Sequence, residues 1–173
     1  VVIWIIGLSG AGKTAIGREV CNQWKKSAPN TVLVDGDEIR AIVGQTKNPN
    51  SYTLAGRRAN AERITKICSW LDNQDINVVC CILSIFPEMR ATNREQFSEY
   101  FEVYVSVPMK NLIENDAKDL YAPAIEGNIN NVVGIDIPFP EPVAADIIIK
   151  NATRSSTPKQ IATKVLTAAG VIE

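Results

Sequence analysis

With 173 residues, 46% hydrophobic and 21% charged, the chain carries enough apolar side chain for one compact domain over residues 1–173 that needs no disulfide or structural metal. A net charge of −1 gives no footprint for gripping a nucleic-acid backbone. The absence of histidine excludes Ser-His-Asp and Cys-His hydrolases and every histidine-ligated metal centre, so acid–base work falls to carboxylates, lysines or water. No apolar run reaches the roughly 20 residues of a membrane span, and the opening VVIWIIG lacks the charged region and cleavage site of a signal peptide. A cytoplasmic location with no membrane partner is the expectation. Cys21, Cys68, Cys80 and Cys81 have no metal-ligand spacing and read as core packing in a reducing compartment.

The first predicted element is a strand over Val1–Ile6, followed at once by Gly7-Leu8-Ser9-Gly10-Ala11-Gly12-Lys13-Thr14 and an amphipathic helix from Lys13 to Lys25. This is the G-x-x-x-x-G-K-[ST] pattern in the context its chemistry needs. The glycines let the backbone curl so that successive N–H groups point inward, and the helix start adds its positive dipole end, so the loop wraps a polyphosphate. Lys13 would reach the β- and γ-phosphates, and Thr14 would offer its hydroxyl to Mg²⁺. The motif indicates nucleotide phosphate binding without separating a kinase from a switch or an ATPase.

A second strand, Thr31–Val34, ends in Asp35-Gly36-Asp37, with a helix expected over Asp37–Val43 that carries Arg40. Ligands of open parallel sheets sit outside the carboxyl ends of the strands, which puts both aspartates beside the phosphate loop. Two readings of Asp37 coexist: a carboxylate for hydrated Mg²⁺ or the attacking hydroxyl, and a plain helix N-cap. In the next helix, Leu54–Asn73, the stripe Ile64, Ile67, Cys68 and Leu71 continues backwards onto Arg57, Asn60 and Ala61. A core-facing stripe that turns polar suits the wall of an anion-holding cleft, although an arginine such as Arg57 can also snorkel to solvent.

Further strands are predicted over Ile76–Leu83, Phe101–Val105 and Asp146–Ile149, with helices over Glu88–Tyr100, Met109–Ile113 and Pro158–Ala169. Short β-branched runs alternating with helical segments define an α/β fold, a P-loop nucleoside-triphosphate-hydrolase-type three-layer sandwich with a five-stranded parallel sheet. Residues 114–142 break the alternation with scattered Asn and Gly and the run GIDIPFPEP, the composition of a lid or of an ordered surface loop.

In order and separation, GLSGAGKT, DGD with Arg40, Arg57-x-x-Asn60, DAKDLY (116–121) and GID (134–136) resemble adenylylsulfate (APS) kinases, which phosphorylate the 3′-hydroxyl of adenosine 5′-phosphosulfate with Mg-ATP. The resemblance spans nearly the whole chain. It implies that Ser9 to Thr14 hold the ATP phosphates, that Asp37 serves Mg²⁺ and the acceptor hydroxyl, and that Arg40, Arg57 and Asn60 hold the acceptor nucleotide. It also implies that Tyr52 stacks on the acceptor base, that Lys118 approaches the transferred phosphate from a lid over 114–142, and that the protein is a homodimer. The departures gather on the acceptor side: Phe86 stands in the Ser-Pro pair of the family, Val132 at its second stacking phenylalanine, Gly56 at the acid before Arg57, and Ala122-Pro123 at a basic pair. A kinase for another substituted nucleotide, such as cytidine diphosphoramidate, is therefore a second expectation. An acceptor-free ATPase or switch lacks a use for the Arg57–Asn60 stripe, and a chemically inert binding module does not need Lys13, Thr14 and Asp37 together.

Overall fold

The computed structural model describes residues 1–116 and 118–172. Five parallel strands, β1 (Val2–Ile6), β2 (Thr31–Asp35), β3 (Asn77–Ile82), β4 (Tyr100–Ser106) and β5 (Ile147–Lys150), form one sheet in the order β2-β3-β1-β4-β5. Every residue of β1 is buried, because the sheet is covered on both faces. Ile3 and Ile5 pack with Ile16, Val20 and Trp24 of α1 (Lys13–Trp24) and Ile161, Val165 and Leu166 of α7 (Pro158–Ala168). Val2, Trp4 and Ile6 point the other way, onto Ala61, Ile64 and Cys68 of α3 (Leu54–Asp72). The period-2 alternation of one strand thus serves two apolar layers.

The remaining helices are α2 (Gly36–Ile42), α4 (Pro87–Gln96), α5 (Met109–Asn115) and α6 (Tyr121–Ile125), with a single 3₁₀ turn over Pro49–Tyr52. The predicted helix over Glu88–Tyr100 ends early, at Gln96. Phe97 leaves the helix to stack on Tyr100 at 5.9 Å and to meet Trp4 at 6.0 Å, while Asp72 accepts hydrogen bonds from the amide and hydroxyl of Ser98. Packing three aromatic rings together outweighs four residues of helix. Residues 114–142 contain α6, which the sequence does not announce: the Asp116 carboxylate accepts from the amides of Leu120, Tyr121 and Ala122, donors that a helix start leaves orphaned. Ala117, inside the DAKDLY segment, lies outside the described residues.

Candidate active site

The phosphate loop hangs from the end of β1, and its glycines are needed for closeness as well as for curvature. A Cβ on Gly7 would stand 2.7 Å from the carbonyl oxygen of Val105, and Gly10 and Gly12 hold φ of 80° and 100°, where side chains are strained. Two distant residues brace the loop from outside. The Tyr121 hydroxyl donates to the Ser9 carbonyl at 2.7 Å, and the buried Asn151 amide donates to the Ala11 carbonyl at 2.9 Å. Lys13 turns its ammonium onto the Leu8 carbonyl at 2.8 Å. Desolvation there pushes its pKa down to about 8, against the pull of the Asp37 carboxylate, and an incoming polyphosphate would favour its charged form.

The two aspartates after β2 divide the roles that the sequence left open. Asp35 is the N-cap of α2: one oxygen accepts from the Asp37 amide at 2.9 Å, and the other accepts from the Thr14 hydroxyl at 2.7 Å. Capping therefore falls to Asp35 and not to Asp37. Asp37 sits in the first helical turn with its side chain 66% exposed, facing Lys118 at 2.9 Å and Arg40 at 3.4 Å. Burial opposes its ionisation, but the hydrogen bond and charge of Lys118, aided by Arg40 and Lys13, hold the carboxyl below its usual range.

Within this cluster Arg40 is 8% exposed, and among the described residues its buried Nε has no hydrogen-bond partner. Its guanidinium lies 4.7 Å from the Tyr52 ring, and that of Arg57 lies 5.8 Å from the same ring. Arg57 does not snorkel to solvent: Nε donates to the Tyr52 carbonyl at 2.8 Å and a terminal nitrogen donates to the Asn131 carbonyl at 2.7 Å, tying α3 to residues far along the chain. Burial, then the charge of Arg40, lowers its pKa. Asn60 is buried, accepts from Arg63 at 3.1 Å, and shares with Arg40, Gln45, Ser51 and Gly56 the wall of a cavity of about 180 Å³. Gly7, Leu8, Ser9, Gly10, Ala11, Gly12, Lys13 and Thr14 thus run from the end of β1 into α1, and Asp37, Arg40, Tyr52, Arg57, Asn60 and Lys118 gather around α2.

Two departures noted in the sequence take a definite form. Val132 is 2% exposed inside the core layer of α1, so this position builds core and not cleft surface. Phe86 is 6% exposed beneath the Arg58 guanidinium at 4.1 Å, again a packing residue. Sequence reasoning missed Asp35 as the partner of Thr14, and Tyr121 and Asn151 as braces of the loop. Only Asn151 had a usable signal, a polar residue just past the carboxyl end of a strand.

A strand–loop–helix phosphate cradle on a parallel sheet, facing a cluster of carboxylate, arginine and lysine, defines a P-loop kinase. The sequence model of the adenylylsulphate kinase family matches residues 1–150, and the chain belongs to that family. It is 36% identical over 160 residues, 92% of this chain and 91% of the other, to a cytidine diphosphoramidate kinase of Campylobacter jejuni. It is 34% identical over 166 residues, 96% of this chain and 87% of the other, to an adenylyl-sulfate kinase of Halothermothrix orenii. The structure of the Mycobacterium tuberculosis APS kinase in complex with AMPPNP and APS superposes with a TM-score of 0.84 at 25% identity, covering 98% of this chain and 96% of that one. The protein is an ATP-dependent kinase of the α/β class. Among the described residues no helix is long and apolar enough to cross a membrane.

Proposed function

We propose that this chain is a single-domain kinase that transfers the γ-phosphate of ATP to the ribose 3′-hydroxyl of a nucleotide whose 5′-phosphate carries a second anionic group. The observation that carries the reading is the Lys118–Asp37–Arg40 cluster, set between the phosphate loop and the Tyr52–Arg57 wall. The loop from Gly7 to Thr14 binds the donor phosphates, with Lys13 on the β- and γ-phosphates. Arg40, Arg57 and Asn60 hold the anionic tail of the acceptor, and Tyr52 meets its base. The acceptor hydroxyl oxygen bonds to the γ-phosphorus as the bond to the β–γ bridging oxygen breaks; ADP leaves and the hydroxyl proton passes to Asp37. Lys118 neutralises charge that builds on the transferred group. The segment over 114–142, which carries Lys118, closes as a lid and keeps water from the phosphate.

The oxygen donors of Thr14, Asp35 and Asp37 beside a polyphosphate cradle fit Mg²⁺, a hard ion that keeps several waters and leans on substrate phosphates. Thr14 and the aspartates would hold it there, and when bound it supplies charge neutralisation between the β- and γ-phosphates. Four free, buried cysteines and the need for ATP suit the cytoplasm.

Adenylylsulfate is the acceptor that family membership brings forward. Cytidine diphosphoramidate is the second reading, and the burial of Val132 favours it, because a site walled by one aromatic ring suits a smaller base. ADP production from Mg-ATP, with adenosine 5′-phosphosulfate and a set of cytidine and uridine diphosphate derivatives offered separately, decides between them. Turnover with none of these nucleotides would sink the reading.

A further inference from the structure

Gly56 lies in the first turn of a 19-residue helix, where alanine would ordinarily be the better helix former. The reason for glycine is a contact between backbones. A Cβ at position 56 would collide with the Asn50 carbonyl oxygen and stand 2.7 Å from the Cα of Ser51, neither of which can swing aside as a side-chain tip can. The 3₁₀ turn over Pro49–Tyr52 is therefore pressed directly onto α3. That seating fixes Tyr52 at three points: its hydroxyl donates to the Thr46 carbonyl at 3.1 Å, its carbonyl accepts from Arg57 Nε at 2.8 Å, and its ring lies against the Arg40 guanidinium. The cavity beside the turn, lined by Arg40, Asn50, Ser51, Gly56 and Asn60, is about 180 Å³, well below the roughly 300–1,000 Å³ of ordinary ligand pockets.

We propose that Gly56 is a positioning residue for acceptor selectivity: by letting the Pro49–Tyr52 turn sit on α3, it sets Tyr52 close to the arginine pair and narrows the base site to a single-ring, pyrimidine base. The inference rests on the nucleotide-acceptor reading above. A side chain at 56 lifts the turn, carries Tyr52 off Arg40 and Arg57, and opens room for a two-ring base.

The test compares wild type, Gly56→Ala, Tyr52→Leu and the double variant, measuring KM and kcat for cytidine and adenosine acceptors and for ATP, with amide hydrogen exchange across 45–52. In Gly56→Ala the KM for the cytidine acceptor rises about tenfold while kcat and the KM for ATP stay within about twofold. The preference for cytidine over adenosine falls, amides of 45–52 exchange faster, and in the Tyr52→Leu background the change at 56 adds nothing. An unchanged acceptor KM with unchanged exchange, a joint fall of kcat and ATP affinity, or the same added effect without Tyr52 overturns the proposal. A wild type that turns over adenylylsulfate and no pyrimidine acceptor overturns the selectivity claim alone; one that turns over no nucleotide overturns the underlying reading. Should Gly56→Ala not fold, Tyr52→Leu carries the test, since it must lose the same preference.

Discussion

The proposed donor and acceptor sides of the cleft are built by opposite means. The phosphate loop is eight consecutive residues whose binding groups are mostly main chain, held from behind by Val105, Tyr121 and Asn151. The other side collects side chains from α2, the 3₁₀ turn, α3 and residue 118, with the carbonyl of Asn131, and its closing contact pairs a lysine 58% exposed with an aspartate 66% exposed. An exposed pair of this kind contributes at most about 1 kcal/mol. On the proposed function, the donor side rests on braced main chain, and the acceptor side can be rebuilt by changing a few side chains. Relatives named for different acceptors, cytidine diphosphoramidate and adenylyl sulfate, are what such a division permits.

The contrast breaks first at Lys13. Lys13→Ala removes the one side-chain cation inside the loop and should lower kcat by about 10³-fold. Acceptor binding by the nucleotide-free protein, followed calorimetrically, should be unchanged; a parallel loss would mean the two sides are not separate. Lys118→Ala should cost less, about 10²-fold in kcat, with ADP affinity retained because the lysine reaches Asp37 and not the loop. Loss of ADP affinity in that variant would place Lys118 on the donor side.

The smallest effect is in pH. Lys13 has a folded pKa of about 8 against an ordinary 10.5, so it is a cation at pH 7 at some cost to stability, a cost relieved as pH rises from 8 toward 10.5. Bound phosphates favour the charged form and raise that pKa again. ADP binding should then take up a fraction of a proton at pH 8.5 and almost none at pH 6.5, read from binding heats in two buffers of different ionisation enthalpy. Heats independent of buffer at pH 8.5 would remove Lys13 from the phosphates.

The same division explains what the sequence discloses. The loop is legible because its chemistry needs fixed residue types at fixed spacing, and the sheet because apolar runs buried on two faces leave little ambiguity at β1 or β3. Arg57 and Asn60 were legible as an interruption of a helical stripe. What stayed hidden depends on contacts between remote backbones or on local turns. The glycine at 56 is a letter in a helix until Asn50 is seen against it, and Asp116 is a motif carboxylate until three amides converge on it. Asp35 and Asp37 were visible as a pair, but a capping carboxylate and an ion-paired one two residues apart are told apart by dihedral angles and distant partners, which composition does not report.

Asn151 adds a constraint on the order of events. Its amide holds the Ala11 carbonyl from 140 residues away, just past β5, the last strand in the sequence and an edge of the sheet. The loop is thus synthesised well before it is finished, since its brace lies 140 residues further along and arrives only when β5 does. A nascent chain halted before residue 151 carries the whole glycine-rich motif with this support still missing, and nucleotide affinity during synthesis becomes a clock for the arrival of the far edge of the sheet.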